Sequence, residues 1–113
     1  TISLSNLLVP WEQIRRRLDA VLRADLVVAL YNPKSRSRTQ PFDDAVALAL
    51  QIRSPETPVG IATAIGQPGE RTEVMTLGEL PSAEVTMKSI VILGNSASRR
   101  SGDWLLTPRG YAV

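Results

Sequence analysis

Apolar residues recur along this chain with two different periods, and the change of period divides it into helices and strands. Trp11, Ile14, Leu18, Val21 and Leu22 stand three and four apart, which predicts a helix with one apolar face. Pro10 suits its first turn, where a missing N–H does no harm. Arg15, Arg16, Arg17 and Asp19 fall mostly elsewhere and read as a solvated face. Upstream, Ile2 to Leu8 mixes apolar and polar positions, as the tail of a strand entering a loop does. Leu26 to Tyr31 is short, β-branched and apolar on both alternations, the pattern of a strand buried on two sides. Asn32-Pro33 ends it, and a polar loop from Lys34 to Arg38 follows. A second helix is predicted from about Pro41 to Arg53. Phe42, Val46, Ala49, Leu50 and Ile52 supply its inner side, and Asp43 and Asp44 complement the dipole in its first turn.

Pro55 and Pro58 mark the exit from that helix, and Val59 to Thr63 reads as the next strand. Gly66-Gln-Pro-Gly69 is a turn cluster, and Arg71 to Leu77 alternates well enough to return as an antiparallel partner. Glu79 to Lys88 holds a short helix at most. Ser89 to Leu93 is the clearest strand, ending in Gly94-Asn95-Ser96, and Trp104 to Thr107 is expected as a last edge strand. Strands alternating with helical crossovers predict a layered α/β domain over residues 1–113, a mixed sheet with helices on both faces.

Composition narrows the chemistry. The 113 residues suffice for one compact domain, and 43% hydrophobic content can supply its core. Cysteine and histidine are both absent. Those zeros remove disulfides, thiolate chemistry, Cys/His zinc sites, Ser-His-Asp triads and imidazole acid–base catalysis within this stretch, and no metal site is expected. Thirteen cations against eleven anions leave +2, too little to predict nucleic-acid binding from bulk charge. All the cations but Lys34 and Lys88 are arginines, whose planar forks suit carboxylates and phosphates. The longest apolar run, Leu26 to Tyr31, is far too short to cross a bilayer, and no leader of the signal-peptide kind is present. The chain opens at Thr1 inside a structured segment and reads as a piece of a longer protein.

In open α/β sheets ligands bind beyond the carboxyl ends of the strands. Here those ends carry Tyr31-Asn32-Pro33, Ala64-Ile65-Gly66 and Gly94-Asn95-Ser96, which combine small residues with amide or hydroxyl groups. Such turns let a ligand approach the backbone, although they also simply end strands. Lys34, Arg36 and Arg38 follow the first turn, Arg71 the second, and Arg99 and Arg100 the third. If the strands are parallel, these charges share one rim and suit a polyanionic ligand; an ordinary solvated basic surface is the alternative. Neither a Walker loop nor a G-x-G-x-x-G fingerprint is present. Asp43-Asp44 reads as a helix start rather than a catalytic pair, and no catalytic acid or base stands out.

Five strings, taken together, are similar to one family. Ser3 to Glu12 (SLSNLLVPWE), Val28 to Pro33 (VALYNP), Gly66 to Arg71 (GQPGER), Leu93 to Ser96 (LGNS) and Thr107 to Tyr111 (TPRGY) resemble, in order, the precorrin-3B C17-methyltransferases among the tetrapyrrole methylases of cobalamin biosynthesis. The resemblance covers the C-terminal half of that family and implies a missing N-terminal α/β domain. It implies an S-adenosylmethionine methyl donor held between the two domains, a precorrin-3B tetrapyrrole as substrate, ring contraction accompanying methylation, a homodimer, and a cytoplasmic location without membrane or nucleic-acid partners. Carried over by position, Leu30, Tyr31, Asn32, Ile65 and Gly66 line the donor. The acetate and propionate arms of a precorrin suit Lys34, Arg36, Arg38, Arg71 and Arg99, with Asn95 and Ser96 beside them.

Two other readings come from the residues alone. One is a free-standing α/β module that binds a small anion through its basic loops. The other is an RNA-contacting domain using Lys34 to Arg38, against which stand few aromatics for stacking and the small net charge.

Overall fold

The computed structural model describes residues 2–3, 10–31, 40–101 and 104–106. In chain order the elements are β1 (Ile2–Ser3), α1 (Trp11–Arg23), β2 (Val28–Tyr31), α2 (Gln40–Ile52), β3 (Pro58–Thr63), β4 (Arg71–Thr76), a 3-10 helix (Leu77–Ser82), β5 (Ser89–Leu93), β6 (Arg99–Ser101) and β7 (Trp104–Leu106). The main sheet has the order β1-β2-β5-β3-β4. β1 runs parallel to β2, whereas β5 is antiparallel to both β2 and β3, and β4 is antiparallel to β3.

Period and burial agree closely in α1. Ile14, Leu18 and Leu22 are buried, while Trp11 and Val21 are half-buried at the margins of the stripe. Pro10 sits one position earlier than expected, as the cap: it is extended, and its carbonyl accepts Gln13 N–H at 3.0 Å and Ile14 N–H at 3.2 Å. The other end closes as a Schellman motif. Leu26 N–H donates to the Val21 carbonyl at 3.1 Å and Asp25 N–H to the Leu22 carbonyl at 3.2 Å, with Asp25 in the left-handed position at φ 60°. α2 buries Phe42, Ala45, Val46, Leu48 and Ala49, and the expected Leu50 and Ile52 are half-buried.

Cross-strand register sorts the sheet residues onto two faces. Val28, Leu30, Val59, Ile61, Val91 and Leu93 share one face, none more than 2% exposed, and join Ile14, Leu18, Phe42, Leu77 and Leu80 in the core. Both α1 and α2 lie on that face and pack on each other. The helices expected on two faces are therefore, among the described residues, on one. The apolar alternation that suggested two-sided cover is met differently: Ala29, Ala62, Ile90 and Ile92 on the other face are only half-buried. Strand β2 also starts later than expected, since Leu26 and Val27 are 52% and 41% exposed. The expected edge strand at Trp104 is found, but paired with β6 in a separate two-stranded sheet.

One buried charge ties the two helices to the sheet. Arg53 follows α2 and is only 9% exposed. Its Nη1 donates to the Gly94 carbonyl and its Nη2 to the Leu26 carbonyl, each at 2.5 Å, with longer approaches from Nη2 to Val21 O at 3.3 Å and Leu22 O at 3.4 Å. The guanidinium thus sits at the negative end of the α1 dipole and adds a charged donor to the carbonyls at and just beyond that helix terminus. Burial lowers its pKa, and the nearby Asp25 charge pulls it back up. Replacing Arg53 with Met keeps the stem but leaves buried carbonyls unpartnered, an expected loss of about 3 kcal/mol in denaturant unfolding. Arg53→Lys is expected to recover less than half, because an ammonium cannot span carbonyls on both sides of the fork.

Candidate functional site

The direction of β5 decides where every candidate residue lies. β2 and β3 point the same way, and β5 between them points the opposite way. The carboxyl ends of β2 and β3 therefore lie at one end of the sheet, with the start of β4. The Gly94-Asn95-Ser96 turn lies at the other end, beside the starts of β2 and β3, where Gly94 N–H donates to the Pro58 carbonyl at 2.9 Å. This corrects the expectation of a single rim formed by three parallel strands. A crossover helix does make β2 and β3 parallel, but β5 inserts between them.

At the first end, the chain leaves β3 through a turn built from left-handed residues. Ala64 has φ 54°, Gly66 φ 78° and Gly69 φ 87°. Ala64 is 7% exposed, and its conformation costs a residue with a Cβ about 1 kcal/mol. Hydrogen bonds hold the turn: Ala64 N–H to the Lys88 carbonyl at 3.1 Å, Gln67 N–H to the Ala64 carbonyl at 2.9 Å, and Gly66 N–H to Glu70 Oε1 at 3.1 Å. The result is a ledge with Ile65 54% exposed, at the end of the sheet that also exposes Tyr31 and Met87. A Cβ built on Gly66 meets nothing within 4 Å, so the backbone there faces open space. Leu30, expected at this site, has a fully buried side chain in the core and can offer a ligand only backbone.

Arg71 belongs to the same end, in register with Thr63, but it is not a free cation. Its Nη2 donates to the Glu84 carbonyl at 2.9 Å, its Nη1 lies 3.3 Å from the Glu84 carboxylate, and its Nε lies 3.7 Å from Glu73. It pins the segment before β5 to the start of β4. Asn32, Lys34, Arg36 and Arg38 lie outside the described residues.

At the second end, Asn95 and Ser96 clasp Asp25. Asn95 Nδ2 donates to the Asp25 carbonyl at 2.9 Å, Ser96 N–H donates to its carboxylate at 2.9 Å, and the Ser96 hydroxyl makes a further short bond. An open groove of about 490 Å³ borders this clasp, lined by Leu22, Arg23, Ile52 and Thr57 among others. Arg99 is exposed and starts β6 after the same turn. The substrate candidates Asn95, Ser96 and Arg99 are thus separated from the donor candidates Tyr31, Ile65 and Gly66 by the length of β5. Sequence reasoning missed Asp25 and Arg53, the groups that organise this end. Their only signals are an acidic residue just past a helix and an arginine at the end of another. Among the described residues no three metal-ligating side chains come together, and no helix is long and apolar enough to cross a membrane.

No protein-family model matches the chain. Individual relatives do. The chain is 42% identical over 111 residues to a cobalt-factor III methyltransferase of Priestia megaterium, covering 98% of this chain and 21% of that protein. It is 41% identical over 116 residues to a precorrin-3B C(17)-methyltransferase of a Sinorhizobium species, covering 98% and 46%. The crystal structure of the methyltransferase CobJ superposes with a TM-score of 0.83 at 33% identity, over 95% of this chain and 45% of that one. The chain is a homologue of the C17-methyltransferases. It spans less than half the length of these methyltransferase relatives. The α/β class and the resemblance read from the five strings both agree with this match.

The Ser96 donors hold the Asp25 carboxyl below the usual carboxylate range. A folded-state pKa below the unfolded one gives stability that is present above the unfolded value and lost as pH falls through the folded one. Acid titration of unfolding is therefore expected to show a loss starting below about pH 4 that Asp25→Asn removes. An unchanged acid limb in the variant would rule out this carboxylate as its source.

Proposed function

We propose that this chain is the C-terminal domain of an S-adenosylmethionine-dependent methyltransferase acting on C17 of a precorrin-3B-type tetrapyrrole in cobalamin biosynthesis. The observation that carries the reading is the superposition on CobJ over nearly the whole chain, at an identity well above chance similarity. The rest of the protein supplies the other wall of the site, and the assembled enzyme is a cytoplasmic homodimer. Both follow from the family resemblance.

The Tyr31 and Ile65-Gly66 end of the sheet is assigned to the donor. The fit rests on shape: exposed Ile65 stands next to an open stretch of backbone at the end of the sheet that also exposes Tyr31, as an uncharged ring and a backbone-reading ligand require. When bound, the donor supplies a sulfonium methyl group for in-line displacement, and the protein's share is chiefly positioning. Arg36 and Arg38, which follow β2, are assigned to the carboxylate arms of the tetrapyrrole. Asn95, Ser96 and Arg99 do not share that end, so any contact they make with substrate is a separate one.

Substitution of Gly66 separates the roles. The domain has room for a side chain there, so Gly66→Val costs the fold only the strain of a left-handed β-branched residue, about 1–2 kcal/mol. It is expected to weaken S-adenosylmethionine binding at least about tenfold in calorimetry on the two-domain protein, while tetrapyrrole affinity changes little. Arg36→Ala with Arg38→Ala is expected to do the reverse and to flatten the salt dependence of tetrapyrrole binding. Equal losses of both ligands in both variants would reject the assignment. The 113-residue chain alone is expected to bind the donor more weakly than the low micromolar range, since half of the cleft is missing.

A further inference from the structure

Three side-chain hydroxyls behind the Ala64 turn have no part in the site as described. Thr63 and Ser89 face each other across β3 and β5, 6% and 2% exposed, with Oγ1 and Oγ 2.8 Å apart. Ser89 Oγ also accepts Thr86 N–H at 3.0 Å and lies 3.5 Å from the Thr86 hydroxyl, which accepts Lys88 N–H at 3.2 Å. Ser89 N–H closes the turn on the Thr86 carbonyl at 3.1 Å. The 86–89 turn is therefore wound around one buried hydroxyl. Its Lys88 carbonyl is the group that accepts Ala64 N–H at 3.1 Å.

The order of these bonds matters because Ala64 is left-handed without being glycine. Such a conformation persists only where neighbouring bonds over-determine it. Ala64 is held from one side by Lys88 and from the other by its own carbonyl on Gln67 N–H. Relaxing Ala64 toward ordinary φ swings Ile65 and Gly66, the next two residues, away from where they stand.

We propose that Thr63, Ser89 and Thr86 are positioning residues for the methyl donor: their hydroxyl chain fixes the Lys88 carbonyl, which locks Ala64 and so aims the Ile65-Gly66 ledge. The inference rests on the assignment of that ledge to the donor. It goes beyond it by placing part of the donor's affinity in three side chains that never touch the ligand. Apolar replacements of similar shape test it, because they keep the packing and remove the bonds.

Ser89→Ala is expected to speed amide exchange at Ala64 and Gln67 and to weaken S-adenosylmethionine binding to the two-domain protein, each about tenfold, with the tetrapyrrole KM within about twofold. Thr63→Val removes the same bond from the other strand and serves if Ser89→Ala fails to fold. Thr63→Ser keeps the hydroxyl and is expected to recover wild-type exchange rates. Unchanged exchange at both amides overturns the proposal. So does a parallel fall of donor affinity, tetrapyrrole affinity and Tm, which marks a merely structural pair. If the unaltered two-domain protein does not bind S-adenosylmethionine, the donor assignment fails. The exchange rates then still decide whether the hydroxyl chain holds the ledge.

Discussion

A single guanidinium occupies the point where four segments of this domain converge. Arg53 lies just past α2, is 9% exposed, and donates to carbonyls at the end of α1, before β2 and after β5. The Gly94 carbonyl lies past the end of the β5 ladder and the Leu26 carbonyl past the end of α1, while the Leu22 carbonyl shares the fork with Asp25 N–H. A buried charge is tolerated here because its fork is spread over several oxygens. The helix layer is thereby fixed in its height over the sheet, and with it the direction in which β2 enters.

At the near end, the same arrangement leaves Asp25 beside Ser96 and Asn95 in a clasp between the α1–β2 turn and the exit from β5. Amide and hydroxyl groups that read as ligand contacts in the sequence are occupied holding loops together. Arg71 repeats the pattern at the far end, where it is bound to Glu84 and Glu73. Most of the polar groups described at the strand ends therefore serve order. What is left open is a short stretch of backbone at Ile65-Gly66 with the Ile65 side chain exposed beside it. A hydrogen-bonded, strained ledge of that kind loses little freedom when a ligand arrives, which favours positioning over adaptability.

Antiparallel insertion of β5 has a wider consequence. A parallel sheet collects all its loop ends on one rim, whereas a strand running the other way sends its loop to the opposite end. The Tyr31 end of β2 and the Gly94 turn after β5 consequently stand at opposite ends of the sheet. A sheet of this topology divides its strand-end turns between two ends rather than gathering them into one ring. That agrees with relatives more than twice its length, in which other parts of the chain are available to complete a cleft.

Local chemistry was legible in the sequence wherever one element's own pattern decides it. The stripe of Ile14, Leu18 and Leu22, the α2 face around Phe42 and Val46, the turn at Gly66–Gly69, the β3–β4 pair and the β5 strand all stand where period and turn residues place them. The five strings that resemble the C17-methyltransferases were legible for the same reason, since motifs are local. Tertiary structure alone decided that β5 lies between β2 and β3, that both helices share one face, that Asn95 and Ser96 bind Asp25, and that Arg53 is buried. Strand neighbours and buried polar partners are chosen by which backbone groups are left unpaired after the layers pack. That choice depends on residues dozens of positions apart, such as Arg53 and Gly94, and no periodicity along the chain records it.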